Sequence, residues 1–402
     1  MDQIKQKSKI NFENFFLILF LIAIFMPKID LVKIPGYWQG IRLEDIALLT
    51  YAVTIIFLYR EKIINNHLVQ KFSPLLFYFL IFFIGSFVGI ISEIPIKYLS
   101  LLRVIEYFAL VVLLCNLSIS KKNFLIYIKL YVLITIVVVI LQKLDLFGSF
   151  TSLGYLSPEN HLNSRIMGLT GGSWEVGVVC TLCYFILITL EKPNLTKIFI
   201  YFCITAYINL EGQSRINFLG FMLANIFFLK NYIQKGKYLI LIILLFSSIA
   251  GAIILKDFLD IDAFDRLVST DYLQSLVMVK NFLLTLQLPE RDSLDFTLWS
   301  LWYRLNLWQQ LIPFYLDNIF TILFGYGPYA IYYESTILRV ILTTGILGFI
   351  YVVFMARKLE IFILVYFITI GFTLDTFNSF KIFAFTILYF RLIYENDSYR
   401  RN

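Results

Sequence analysis

The chain has 402 residues, of which 59% are hydrophobic and 15% charged, and its mean hydropathy is +0.80. Soluble domains carry about a quarter charged residues, so this composition excludes a soluble globular protein and predicts a polytopic membrane protein. The formal net charge of +7 does not indicate nucleic-acid binding, because the basic residues are spread over short connecting segments and form no single patch.

Residues 12–26 open a series of apolar runs that predicts about twelve transmembrane helices in an all-α fold. Lysines precede this first run and no small-residue cleavage site follows it, so we predict a retained helix and no removed signal peptide. The predicted spans are 12–26, 45–59, 73–92, 98–117, 124–141, 174–190, 196–210, 216–229, 238–255, 335–354, 359–372 and 380–394. The predicted organisation is helices with short loops in 1–255, a large loop in 256–334, and three helices with a cytoplasmic tail in 335–402.

Lysine and arginine in alternate loops predict the orientation in the membrane, because such residues are enriched on the cytoplasmic side. Seventeen of the 34 basic residues fall on the side that carries both termini, nearly all of them in short loops or tails. We therefore predict that both termini are cytoplasmic. The outer side then receives the loops 27–44 and 142–173, the turn 211–215 and the loop 256–334, in which residues 301–320 predict an amphipathic surface helix.

Four cysteines lie inside apolar runs, and Cys180 and Cys183 form a C-x-x-C pair. Because no histidine or second pair accompanies them, we interpret them as small packing residues and expect no metal site.

Polar residues at the ends of predicted helices fall on the same outer face: Arg165, Arg215, Glu334, Arg339 and Asp375. A charge in or near hydrocarbon costs about 2.5–3.5 kcal/mol on insertion scales, so it usually faces a ligand or an internal aqueous cavity. The convergence of these residues on one face predicts a functional site.

Arg165 precedes Gly168, Gly171, Gly172 and a helix that begins immediately afterwards. Glycine lets backbone N–H groups approach an anion closely, and a helix N-terminus adds about half a positive charge. A solvated arginine in a loop, without a ligand, is the alternative interpretation.

Arg215 is the last residue of the very short turn 211–215, at the start of another helix that is predicted to run inward. Two arginines at two helix starts suit a diphosphate, because guanidinium groups bind phosphate oxygens in bidentate fashion. The alternative is that Arg215 extends towards lipid headgroups.

Glu334 follows the turn "FGYGP" at the mouth of the span 335–354. A half-buried carboxylate there has a raised pKa and is suited to accept a proton from a sugar hydroxyl. An ion pair with Arg339 is the alternative. Arg103 is also near the outer face, although it can instead pair with Glu106, which is one helical turn away.

Three stretches in this order resemble the O-antigen polymerase and O-antigen ligase superfamily: "RIMGLTGGSWEVG", "GQSRINFLGF", and "FGYGP" followed by "YESTILRVILTTGILG". The similarity covers most of residues 150–350. The resemblance implies an inner-membrane glycosyltransferase of the GT-C type that uses undecaprenyl-diphosphate-linked oligosaccharide as donor and acceptor, without a metal or nucleotide cofactor. The family's two diphosphate-binding arginines fall on Arg165 and Arg215.

Ligases of this family carry a histidine where this chain has Glu334, so the resemblance favours a polymerase of repeat units. A chain-length regulator is a possible protein partner of such a polymerase. We assign catalysis to Glu334, Arg215 and Arg165. We assign substrate binding to Arg103, Arg304, Arg339, Asp375, Gly171 and Gly172. An O-antigen ligase and a flippase of lipid-linked oligosaccharide stay open as alternatives. A flippase would place its charges at mid-membrane and show repeat-like halves.

Overall fold

The computed structural model of the chain describes residues 15–27 without 16 and 19, then 29–32, 40–58, 66–94, 98–116, 120–151, 154–158, 166–233, 272–294, 296–328 and 335–399. The chain is mostly helical and divides into two compact units. Unit 1 comprises Met1–Ser73, Leu102–Phe221 and Asn378–Asn402, and unit 2 comprises Pro74–Leu101 and Met222–Phe377.

The elements follow one another in the order β1 (Asp30–Val32), β2 (Ile41–Arg42), α1 (Leu43–Leu58), α2 (His67–Lys71), α3 (Ser73–Ile91), α4 (Tyr98–Asn116), α5 (Lys121–Lys143), β3 (Ser149–Thr151), β4 (Gly154–Leu156), α6 (Ser173–Leu190), α7 (Leu195–Glu211), α8 (Arg215–Ile233), α9 (Tyr272–Thr285), α10 (Phe296–Leu316), α11 (Ile319–Phe324), α12 (Thr336–Ala356), α13 (Ile361–Gly371) and α14 (Phe380–Tyr399). Residues 20–25 are also helical. Short 3-10 turns occupy Arg291–Ser293 and Thr376–Asn378.

Within the described ranges, ten of these helices lie at predicted spans, and the predicted span 238–255 lies outside the described residues. The pairings β1–β2 and β3–β4 are antiparallel and fall in the predicted loops 27–44 and 142–173. An all-α prediction did not include these two short ribbons.

Four helices in the described part of the chain are long and apolar enough to cross a membrane: α3, α5, α6 and α12. Large apolar side chains stay exposed at helical spacing on α3 (Phe77, Leu80, Ile84, Phe87) and on α5 (Ile126, Leu130, Leu133, Val137). An apolar face of this kind is favourable against lipid and unfavourable against water. The chain is thus a mostly helical membrane protein.

Helix α6 is the central helix of unit 1. It is buried along almost its whole length and packs against α5, α7 and α14. Its apolar residues occur all around the helix, as expected of a helix with protein on every side. Cys180 and Cys183 are fully buried in it without a disulfide, in agreement with their interpretation as packing residues.

Helices α6, α8 and α14 all begin at one end of unit 1. Ser379, just before α14, donates a hydrogen bond to Glu175 in the first turn of α6. Helices α6 and α8 run in the same direction, and the rings of Tyr184 and Phe221 pack with their centroids 5.5 Å apart. Helices α5 and α7 finish at the same end, where Lys143 and Glu211 lie 3.7 Å apart. We call this the polar end of unit 1, defined by residues 142–143, 166–175, 211–217 and 379–381.

The helix predicted over residues 301–320 is wrong in its C-terminal part. Helix α10 ends at Leu316, and α11 begins at Ile319 after a new N-cap at Asn318. The Asn318 side chain accepts a hydrogen bond of 2.9 Å from the backbone N–H of Phe320. This cap satisfies an N–H at the new helix start, so two helices are favoured over one.

Helix α12 in unit 2 is interrupted at Gly345, whose backbone has φ 63° and ψ −166°. The carbonyls of Leu342 and Thr343 accept hydrogen bonds from the N–H groups of Tyr326 (2.9 Å) and Gly327 (3.1 Å). The turn after α11 therefore supplies the donors that the interruption needs. Interrupted backbone inside a membrane protein is tolerated only where such groups are satisfied in this way.

Candidate functional site

The loop before α6 contains the glycines of the predicted anion site, and buried side chains hold it in place. Gly168 adopts φ +55°, and its N–H donates to the Gln142 side chain at 2.9 Å. Gln142 in turn donates to the carbonyl of Gly148 at 2.8 Å. The Thr170 hydroxyl bonds the carbonyls of Met167 and Gly172. These hydrogen bonds fix the described part of the loop, which begins at residue 166.

Two charged groups complete this arrangement. The N–H of Gly171 donates to the Glu175 carboxylate at 3.1 Å, and the buried ammonium of Lys381 donates to the carbonyls of Leu169 (2.7 Å) and Met26 (2.8 Å). Gly171 was predicted to donate its N–H to a bound anion, but the carboxylate of Glu175 already accepts that N–H. Gly172 is the N-cap of α6. Arg165 lies outside the described residues.

The turn before α8 lies directly beside the start of α6. Helix α7 ends at Glu211, and Gln213 adopts a positive φ of 50°. Arg215 is the first residue of α8, which begins one residue before the predicted span 216–229. A Cβ atom on Gly212 would be 2.6 Å from the carbonyl oxygen of Ser173. The two sequence motifs that were predicted to bind a diphosphate therefore meet at the polar end of unit 1. Arg215 is partly buried there.

Buried amide groups connect the two motifs. The Asn217 side chain donates to Asn209 at 2.5 Å, and Asn209 donates to the Thr181 hydroxyl at 3.0 Å. Gly177 of α6 makes room for these groups, since its Cβ position is 2.2 Å from Asn217 Nδ2. Each of the three hydrogen-bonding side chains is at most 1% exposed. A satisfied buried network of this kind fixes the start of α8 against α6.

Arg103 is held by two carboxylates in unit 1. Its Nη1 lies 2.8 Å from Asp45 and 3.0 Å from Glu106. The pairing with Glu106 was the alternative considered from the sequence, whereas Asp45 was not predicted. Asp45 also accepts the backbone N–H of Arg42 at 2.9 Å, and the Arg42 side chain bonds Asp30 at 3.0 Å. The guanidinium of Arg103 is thus already neutralised by the protein.

Unit 2 contains Arg339 and Asp375, which form an ion pair with each other. Arg339 approaches Asp375 Oδ2 with Nε at 2.8 Å and Nη2 at 2.6 Å. The sequence had offered Glu334 as the alternative partner of Arg339, but Glu334 lies outside the described residues. Arg304 lies in α10 of the same unit and is partly buried.

The described ranges contain no group of three or more His, Cys, Asp or Glu side chains arranged to hold a metal ion. No protein-family model, curated protein or solved structure matches the chain.

Proposed function

We propose that this protein is a polysaccharide polymerase of the bacterial inner membrane, a metal-independent glycosyltransferase of the GT-C type with about twelve spans and cytoplasmic termini. It joins undecaprenyl-diphosphate-linked oligosaccharide repeat units at the periplasmic face. One lipid-linked chain is the donor, and a second lipid-linked unit supplies the acceptor hydroxyl.

The observation that supports this proposal is the contact between the two motifs in unit 1. The glycine loop before α6 and the turn before α8 are distant in sequence, yet Gly212 packs on Ser173. Arg215 stands at a helix start, where the helix dipole and the guanidinium group both favour an anion. Of the ligands suggested by the sequence, a diphosphate fits this combination best.

The proposed reaction begins with attack of the acceptor hydroxyl on the anomeric carbon of the donor sugar. The bond to undecaprenyl diphosphate breaks, and negative charge develops on the leaving diphosphate. Arg165 and Arg215 stabilise this charge, a role in which loss of one donor typically costs ~10²–10³ in rate. A carboxylate takes the proton of the hydroxyl, Glu334 in the assignment made from sequence. Of the residues assigned to substrate binding from the sequence, Arg103, Gly171 and Gly172 lie in unit 1, and Arg304, Arg339 and Asp375 lie in unit 2. In unit 1, carboxylates of the protein already pair with Arg103 and accept the N–H of Gly171.

The test is complementation of a strain from which the gene has been deleted, with surface glycan separated on a gel. We expect the wild-type gene to restore long ladders and Arg215→Ala to abolish them at an unchanged protein level. Arg291→Ala is the matched control, because Arg291 is exposed and contacts the ring of Trp299 at 4.3 Å. A full ladder from Arg215→Ala would contradict the mechanism. Long polymer that stays on its lipid carrier in the deletion strain would identify a ligase instead.

The interruption of α12 bears on the alternative of a flippase of lipid-linked oligosaccharide, because transporters often use discontinuous helices at their binding sites. In such sites the freed carbonyls coordinate a substrate or an ion. Here the carbonyls of Leu342 and Thr343 are instead bonded to Tyr326 and Gly327. Lipid-linked units confined to the cytoplasmic leaflet of the deletion strain would support the flippase over the polymerase.

A further inference from the structure

Helix α11 of unit 2 and the turn after it pack beside the middle of α3 and α12, two helices that are long and apolar enough to cross a membrane. A Cβ atom on Gly345 would overlap the carbonyl of Leu323, and one on Gly85 would overlap the carbonyl of Phe324. Gly345 is one residue from the midpoint of α12, and Gly85 is three residues from the midpoint of α3. The backbone where α11 ends therefore lies close to the middle of the membrane.

The backbone of this turn is satisfied by the protein, as such a depth requires. The N–H of Gly325 donates to a carbonyl of α11 at 2.8 Å, and those of Tyr326 and Gly327 donate to carbonyls of α12 at 2.9 Å and 3.1 Å. Residues 325–328 are all buried. Hydrocarbon offers no hydrogen-bond partner, so irregular backbone is stable inside a membrane only where the protein supplies the donors and acceptors. The turn meets this condition.

Two large apolar side chains of α11 are not covered by the described part of the protein. Ile319 is 60% exposed and Phe320 is 56% exposed. An α-helix rises about 1.5 Å per residue, so Ile319 lies within about 8 Å of Phe324 along the helix. The hydrocarbon core extends about 15 Å on either side of the midplane. Both side chains therefore fall inside the hydrocarbon, whichever way α11 is inclined.

We propose that α11 and the turn after it form a re-entrant segment, which enters the bilayer from the outer face and contacts lipid acyl chains through Ile319 and Phe320. Large apolar side chains are favourable against acyl chains at this depth. The sequence had placed all of residues 256–334 outside the membrane. Asp317, two residues before α11, is exposed. A charge is unfavourable in hydrocarbon, so α11 begins near the headgroups and descends towards Gly345.

The test is fluorescence quenching in vesicles that contain the full-length protein. Phe320→Cys in a cysteine-free background is labelled with bimane. The quencher is either lipid brominated in the middle of its acyl chains or iodide in the surrounding water. Leu80→Cys is the positive control, because Leu80 is 53% exposed near the middle of α3. Glu290→Cys is the negative control, because Glu290 is an exposed charged residue between α9 and α10.

We expect brominated lipid to quench the label at position 320 as strongly as at position 80 and at least about threefold more than at position 290, because the bromine is confined to the hydrocarbon. Iodide should quench the three labels in the reverse order. Quenching at position 320 by iodide alone would show that α11 lies in water. Quenching there by neither agent would show that protein covers this face, from this chain or from another. Either result would overturn the proposal.

Phe320→Asp and Phe320→Ala provide a second measurement in case the labelled protein does not reconstitute. Both remove the ring, but only aspartate adds a charge, which is unfavourable in hydrocarbon and favourable near a helix start in water. In vesicles we therefore expect Phe320→Asp to melt at a lower temperature than Phe320→Ala. Equal melting temperatures, or a higher one for Phe320→Asp, would overturn the proposal. None of these measurements uses the proposed reaction, so a failure of the polymerase assignment would leave them unchanged.

Discussion

Replacement of Gly177 by alanine tests how tightly the two motifs of unit 1 are joined. The new Cβ would lie 2.2 Å from Asn217 Nδ2 and 2.7 Å from Asn209 Oδ1, closer than carbon atoms approach such groups. Overpacking of this kind costs about 1–3 kcal/mol. Disruption of the Asn217–Asn209 hydrogen bond adds about 1 kcal/mol, and the higher helix propensity of alanine recovers about 1 kcal/mol. We expect a net loss of about 1–3 kcal/mol.

The assay is the thermal stability of detergent-solubilised protein, followed by size-exclusion chromatography, together with the glycan ladder. Gly371→Ala is the matched control, because its nearest neighbours would be 3.5–3.8 Å away and its φ is not positive. Asn217→Ala should relieve part of the Gly177→Ala defect, because it removes the closest clash; the double variant then loses less stability than the sum. Equal stability of Gly177→Ala and Gly371→Ala would refute the reasoning.

Two further predictions concern the interrupted helix and the orientation. Gly345→Ala should destabilise the protein by about 2–6 kcal/mol in the same thermal assay. The backbone angles φ 63° and ψ −166° suit only glycine, and the new Cβ would lie 2.4 Å from the Leu323 carbonyl. A melting temperature equal to that of the wild type would contradict the close approach. The predicted topology places residues 145 and 213 on the same, periplasmic side. In a cysteine-free background, Asp145→Cys and Gln213→Cys should therefore both react with a membrane-impermeant thiol reagent, added to cells with a permeabilised outer membrane. Labelling of only one of the two cysteines would contradict this topology.

Helix positions were predictable because a long apolar run is a local property of the sequence. The run 73–92 and helix α3 (Ser73–Ile91) differ by one residue at one end. Helix α5 begins earlier than predicted, at Lys121, because the Ser120 side chain caps it by accepting from the N–H of Asn123 at 3.2 Å. Boundaries of this kind depend on single polar side chains, which hydropathy does not weigh.

The polar contacts of the candidate site were less predictable, because they join residues that are distant in sequence. Lys381 reaches the carbonyl of Leu169 across more than two hundred positions, and Asp45 reaches Arg103 across 58 positions. The only signal for Lys381 was a lysine at the edge of an apolar run. For Asp45 it was the acidic pair in "IRLEDIALL", which indicates a helix start but no particular partner.

The interruption of α12 had a weaker signal still. Gly345 lies in "TTGILGFI", where a glycine within an apolar helix is ordinary. Its conformation follows from the preceding turn, whose N–H groups bond the carbonyls of α12. A pattern within one helix does not contain that information.

The arrangement at the polar end of unit 1 also distinguishes the two helix starts as anion sites. The first turn of α6 contains Glu175, whose carboxylate accepts the N–H of Gly171 and occupies the place where an anion is otherwise stabilised. A diphosphate there would meet a like charge. The first turn of α8 contains no acidic residue and begins with Arg215. In the proposed function the diphosphate therefore belongs at the start of α8, and the glycine loop contributes the rigidity that keeps α6 in position beside it.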